Sequence, residues 1–336
     1  MINKLIASLV IVAAASFGAS SAHASTCGDV SVAEMDWQSA RLLANIDAII
    51  LTHGYGCEVS LVAGDTMATF TTMDEEGKPD VAPEMWINAY RDQIDAAVKD
   101  GRLHIAARAL TDGGVEGWWI PNYIAEAYPD IRTVRDALDH PELFPDPKDS
   151  TRGAVHNCPS GWNCRISTGN LFKAYDAEQK GFDLIPAESG QELNESIAVA
   201  FENNRGWLGY YWAPTATLGK YEMVRLGFDV PHDKDEWDRC TSQPDCEDPR
   251  PNAWPKSEVY TVVTKAFHRN NIGAYAYLSK RGWGNHTVNG MLAWMIDNQA
   301  TPEDGAHHFL MQQNEVWETW VTPAAAAKVK AYLAAS

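Results

Sequence analysis

Two rhythms of apolar and polar positions take turns along this chain. Residues 30–35 read as a strand, and Trp37 follows directly. From Ser39 to Thr52 the apolar residues Leu42, Leu43, Ile46, Ile49 and Ile50 recur at helical spacing. Gly54 and Gly56 stop that helix, and residues 57–63 read as a second strand. The resulting βαβ unit puts Trp37 and Ser39 at a strand's carboxyl end, the edge where open α/β sheets bind ligands. Beyond it the pattern predicts a helix over 66–73, a strand from Pro79 into a loop carrying Trp86, a helix over 89–99 and a strand over 105–110. Thr111-Asp112-Gly113-Gly114 reads as a hinge.

The middle of the chain repeats the style. Strands are expected at 117–121, 182–186 and 208–212, and helices at 124–128, 133–138, 171–180 and 193–203. Residues 141–157 read as a polar, proline-rich loop. After an acidic excursion at 232–251, three helices follow: one with Val288, Leu292, Met295 and Ile296 on one face, then 309–317 and 324–333. The alternation implies an α/β chain without internal repeats.

Composition narrows the setting. Lys4, the apolar run 5–15 and Ala22-His23-Ala24 form the three parts of a secretory leader over residues 1–24. No other apolar run approaches the roughly 18 residues that span a bilayer, so an exported protein without membrane insertion is expected. The net charge of −18 argues against nucleic acid and anionic membrane as partners. Six cysteines behind a leader suggest three disulfides: Cys158 with Cys164 and Cys240 with Cys246 as close pairs, leaving Cys27 for Cys57. The C-x-x-C spacing of structural zinc sites is absent, and no metal or cofactor is expected.

Candidate chemistry lies in the tryptophans. Trp37, Trp86, Trp119, Trp162 and Trp212 each sit just past a strand or in a short loop beside one. Trp162 lies within Cys158-Pro159-Ser160-Gly161-Trp162-Asn163-Cys164, a loop that a disulfide would close and Pro159 and Gly161 would turn. Indoles converging from several strand ends make a box of negative ring faces. Its natural guest is a cation without N–H donors, such as trimethylammonium, dimethylsulfonium or choline. Some of the 13 tryptophans must be ordinary core, and a disulfide with a tryptophan packed on it is the plainer alternative for the loop. Four rings at about 1–2 kcal/mol each supply roughly 4–8 kcal/mol, near the 8 kcal/mol of micromolar binding.

Three motifs, Pro83-Glu84-Met85-Trp86-Ile87-Asn88, the cysteine-bounded loop and Tyr211-Trp212-Ala213-Pro214, resemble those of the substrate-binding proteins of glycine betaine/proline-type ABC transporters, the OpuAC-like family. The resemblance covers nearly the whole exported chain. It implies a two-lobed periplasmic binding protein of type II, each lobe a mixed sheet flanked by helices, joined by a two-strand hinge. Residues 25–112 with 213–336 would form lobe 1, and 113–212 lobe 2. It also implies that Trp86, Trp162 and Trp212 box the methylated cation, and that the backbone N–H groups of Asn163 and Cys164 hold a ligand carboxylate. Trp37 matches the position where choline- and betaine-binding relatives carry a tryptophan after the first strand. Trp119 matches less firmly, and Trp118 is its alternative. Tyr90 stands where the enteric glycine betaine binder has histidine, which leaves the anion contact open.

Glu116 is a separate candidate: in the box it would neutralise the onium charge or, protonated, donate to an N-oxide oxygen. Beside a ligand carboxylate it would repel, favouring choline or trimethylamine N-oxide over betaine. As a solvated strand-end residue it would do neither.

Enzyme classes find little support. The chain has no G-x-S-x-G, H-E-x-x-H, Walker lysine loop or G-x-G-x-x-G after the first strand. Asp80 with Glu84 is the one carboxylate pair to nominate for a glycosidase. The acidic excursion lacks the spacing of a calcium loop and is expected as a solvated hairpin. The expected role is therefore a monomeric receptor that delivers a small methylated onium osmolyte (glycine betaine, dimethylsulfoniopropionate or trimethylamine N-oxide) to an ABC permease. A choline-specific receptor, or a secreted carbohydrate-active protein using tryptophan platforms, is the alternative.

Overall fold

The computed structural model describes residues 27–335; the expected leader lies outside the described residues. Ten strands form two five-stranded sheets. The first takes β1 (Gly28–Met35), β2 (Cys57–Gly64), β3 (Val81–Trp86), β4 (Leu103–Arg108) and β10 (Val259–Thr264) in the order β2-β1-β3-β10-β4. The second takes β5 (Val115–Pro121), β6 (Gly153–Asn157), β7 (Phe182–Pro186), β8 (Gly209–Ala213) and β9 (Met223–Arg225) in the order β7-β6-β8-β5-β9. In each sheet three neighbouring strands run parallel; the antiparallel strand is the last of the first sheet, β10, and the first of the second, β5. Two mixed sheets flanked by helices make the expected two-lobed fold.

The parallel register of β1 with β2 starts at Gly28 opposite Cys57, which brings Cys27 to its disulfide partner Cys57. Cys158–Cys164 and Cys240–Cys246 are the other two bonds, as expected. Helix Gln38–Ile49 buries Leu42, Leu43, Ile46 and Ile49, the predicted stripe, against the first sheet and helix Pro302–Gln312.

Several elements differ from expectation. β6 lies inside the predicted loop: it is short, and residues of both its faces are buried, so it shows no alternation to read. The helix expected from 171 begins at Cys164, inside the disulfide loop. β9 belongs to the second sheet although it lies beyond residue 212. β10, with its β-branched run Val259-Tyr260-Thr261-Val262-Val263-Thr264, is a central strand that the helical reading of the last third passed over. The acidic excursion is no hairpin. A short helix, Lys234–Glu236, leads into a π-helical turn, Trp237–Thr241, and buried Glu236 is paired with Arg239 and Arg250.

The chain passes between lobes at Gly114 and Ser257, which exchange both backbone hydrogen bonds at 2.9 and 3.2 Å. A third connection follows β8. Helix Ala216–Lys220 packs on helix Asn285–Asp297, and Ala216 is buried in the first lobe's core before the chain returns to β9.

One ion pair is wholly interior. Arg281 Nε lies 2.9 Å from Asp47 Oδ1, and neither side chain has any exposure. Tyr277 donates to the same carboxylate oxygen, while Arg281 Nη2 donates to Pro83 O and Thr261 Oγ1 at 3.1 and 2.7 Å. Removing one member of such a pair strands the other charge. Arg281→Met is therefore expected to cost about 3–5 kcal/mol in urea unfolding, with Asp47→Leu in the same chain recovering most of it. A loss under about 1 kcal/mol from the single change would show that the pair carries no such charge.

Candidate functional site

Four indoles meet at one place between the sheets. Trp37 caps the start of helix Gln38–Ile49 just past β1, and Trp86 ends β3. Trp162 comes from the disulfide loop before helix Cys164–Ala174, and Trp212 from β8. Together with Thr66, Glu116, Asn163 and Cys164 they line one small cavity of about 40 Å³. The rings stand edge to face: Trp37 and Trp162 have centroids 5.7 Å apart at 77°, and Trp162 and Trp212 5.1 Å apart at 84°. A larger cavity of about 340 Å³ adjoins it behind Trp37, Trp162 and Trp212.

Three of the indole N–H groups, those of Trp37, Trp86 and Trp162, are held by carboxylates that do not line this box. Trp37 Nε1 and Trp86 Nε1 both donate to Glu84 Oε1, at 2.7 and 3.1 Å, and Ser39 Oγ donates to it at 2.8 Å. Glu84 shares the face of β3 that carries Trp86, because residues two apart on a strand point the same way. Its second oxygen, Oε2, is buried with no hydrogen-bond partner. Trp162 Nε1 donates across the cleft to Asp36 Oδ1 at 2.6 Å.

Lobe-to-lobe contacts cluster at the disulfide loop. Gly161 has φ +88°, the left-handed region, and a Cβ there would fall 2.4 Å from Asp65 Oδ2. Met67 N donates to Gly161 O at 3.4 Å, and Asn163 Nδ2 to Trp86 O at 3.4 Å.

Glu116 is a buried carboxylate in the cavity wall. Oε1 accepts from Tyr210 OH at 2.7 Å and Oε2 from Ser257 Oγ. Burial pushes its pKa above the usual carboxylate value, against the opposing pull of the hydrogen bonds from Ser257, Tyr210 and Trp254. Burial likewise raises Glu84, opposed by its three donors and the charge of Arg281.

Of the residues expected at the site, Trp37, Trp86, Trp162, Trp212, Asn163, Cys164 and Glu116 share the cavity. Trp119 does not line it. Along β5, Glu116 and Trp118 share one face and Trp119 takes the other, where its Nε1 donates to Tyr211 O at 2.9 Å. Trp118 does not replace it: its ring is fully buried against Phe228. The Asp80–Glu84 pairing fails as well, since Asp80 is bound by Ser31 and Lys78 while Glu84 is bound by indoles. Glu84 and Asp36 were missed as partners of the tryptophans. The available signal was an acid inside the otherwise apolar run of β3, and another directly before Trp37. Among the described residues, no group of three or more His, Cys, Asp or Glu could hold a metal ion, and no helix is long and apolar enough to cross a membrane.

The sequence model of one family, the substrate binding domain of ABC-type glycine betaine transport systems (OpuAC), matches residues 28–312. The chain belongs to the OpuAC family. It is thus a transport substrate-binding protein and not an enzyme. Solved structures of similar fold include an ABC-transporter choline-binding protein in complex with choline, at TM-score 0.70 and 16% identity, covering 91% of this chain and 98% of that one. Lactococcal OpuAC, closed on glycine betaine, has TM-score 0.66 and 18% identity, covering 88% and 100%. A glycine betaine/L-proline-binding protein from Borrelia burgdorferi has TM-score 0.69 and 14% identity, covering 90% and 99%. At these identities the likeness is one of fold.

In this OpuAC chain the hinge sets the seat of Trp86. A Cβ on Gly114 would lie 2.1 Å from Trp86 Cζ3, so Gly114→Ala must push the ring aside. The expected cost is about 1–3 kcal/mol, as for other overpacked sites, read by urea unfolding together with an altered near-ultraviolet circular dichroism spectrum. Unchanged stability and spectrum would mean that the ring is not seated against the hinge.

Proposed function

We propose that this protein binds a small methylated onium compound in a cage formed by Trp37, Trp86, Trp162 and Trp212, and hands it to its ABC permease. The observation that carries this reading is the meeting of four indoles from both lobes around one cavity whose wall holds a buried carboxylate. Ring faces attract a cation through their quadrupoles, and the attraction grows when water is excluded. A methylated cation cannot hydrogen-bond, so it is well matched by a wall of carbon. The cage is tight as it stands, so admission of ligand requires the lobes to part and close again. A ligand that contacts both lobes favours the closed form by its differential affinity for it.

Within the onium class, Glu116 tips the choice. A carboxylate here attracts a choline-type cation and opposes the carboxylate of glycine betaine or dimethylsulfoniopropionate. Protonated, it donates to the oxygen of trimethylamine N-oxide. The backbone N–H groups of Asn163 and Cys164, at the start of helix Cys164–Ala174, favour an anionic end instead. We place the protein in the periplasm, acting as a monomer.

Calorimetric titration with glycine betaine, choline, dimethylsulfoniopropionate, trimethylamine N-oxide and maltose tests the class; binding of maltose alone would return the protein to a carbohydrate role. Trp86→Ala, Trp162→Ala and Trp212→Ala are each expected to weaken onium binding by about 1–3 kcal/mol, roughly 5- to 150-fold. Unchanged affinity in two of the three would defeat the cage. Glu116→Gln is expected to change the rank order of the ligands, and equal effects on all of them would remove Glu116 from recognition.

A further inference from the structure

Two carboxylates touch the cage from outside, Asp36 through Trp162 and Glu84 through two indoles, and Glu84 has no role in the reading so far. Glu84 does not line the cavity, yet its Oε1 holds the N–H groups of two cage indoles and the hydroxyl of Ser39. Trp37, the N-cap of helix Gln38–Ile49, and Ser39 in its first turn contribute two of those donors and β3 contributes Trp86, so this one oxygen fixes the angle between rings from two elements. Glu84 has no exposure, and Oε2 has no partner. A neutral amide would hold the same donors through its carbonyl oxygen. A carboxylate adds charge: it lies within two residues of Trp86, in a medium where water does not screen it. It also polarises the indoles that donate to it, raising electron density in the rings.

We propose that Glu84 is a positioning residue that sets the Trp37 and Trp86 rings and, as a carboxylate, makes the cage select a full positive charge over a neutral group of the same shape. The inference rests on the onium-cage reading. The charge of Arg281 also bears on Glu84, but Arg281 makes its ion pair with Asp47, so Glu84 keeps negative charge that acts on the cage. A purely structural glutamate would hold the rings equally well for charged and uncharged guests.

The test uses the exported chain, with choline and its uncharged isostere 3,3-dimethyl-1-butanol as probes. Glu84→Gln keeps an acceptor for the indoles and removes the charge. It is expected to weaken choline binding by about tenfold or more while the isostere's affinity stays within about twofold. Glu84→Met removes charge and acceptor together and is expected to weaken both probes. Equal losses for the two probes in Glu84→Gln, or no loss for either, would overturn the proposal. If the wild-type protein binds neither these probes nor any other onium ligand, it is the cage reading itself that fails. A second measurement needs no substitution. In the ¹H–¹⁵N spectrum the Trp37 and Trp86 indole protons should lie downfield of those of Trp119 and Trp317, which donate to backbone carbonyls. Coincident shifts would show that Glu84 is not acting as an ionised acceptor, and would overturn the proposal even if Glu84→Gln failed to fold.

Discussion

A buried indole can offer its face only if its N–H is satisfied elsewhere, and this requirement shapes the centre of the molecule. An orphaned N–H would compete for any polar atom that entered the cavity. Here the N–H groups of Trp37, Trp86 and Trp162 are tied to carboxylates of the first lobe, two to Glu84 and one to Asp36. The cavity wall is therefore built mostly of ring carbon, and its polar edges are turned away from the middle. That orientation depends on the register of β3, which places Glu84 and Trp86 on one face, and on helix Gln38–Ile49 starting where β1 ends.

The same contacts join the two lobes. Trp162 belongs to the second sheet's side and its acceptor Asp36 to the first. Glu116 of β5 accepts from Ser257 on the returning strand, beside the backbone pair that Ser257 makes with Gly114. Helix Ala216–Lys220, a few residues past Trp212, buries Ala216 in the first lobe's core. Residues at the centre of the molecule are thus within a few positions of each lobe-to-lobe contact. Small displacements of these rings have direct access to the hinge, which is the physical requirement for coupling occupancy to closure.

Much of this was legible in the sequence because its cause is local. A tryptophan at the end of an apolar strand is carried to the sheet's edge by the strand itself; the disulfide loop brings Trp162, while Trp37, Trp86 and Trp212 arrive there by their strands. Trp119 did not, because facing is set by counting along β5 from Glu116, and the sequence does not state which parity faces the cleft. Glu84 was visible as an acid in an apolar strand, but its partners lie 47 and 45 residues away on a helix whose start had to be known first. β6 carried no alternation because residues of both its faces are buried, whereas β10 carried a clear β-branched signal that the expectation of C-terminal helices obscured.

Two carboxylates in a nearly dry site need a compensating charge. Glu84 and Glu116 both have pKa values raised by burial, so each holds a proton more readily than a surface glutamate would. A permanent cation in the proposed cage would compete with those protons for the same negative charge. Reciprocity then requires that a guest which lowers their proton affinity be bound more weakly by the protonated protein. A neutral guest, or one whose oxygen accepts a proton from Glu116, would show no such penalty. In the proposed cage the carboxylates around the indoles would thus tie what is admitted to their own state of ionisation, which ring faces without acids behind them could not do.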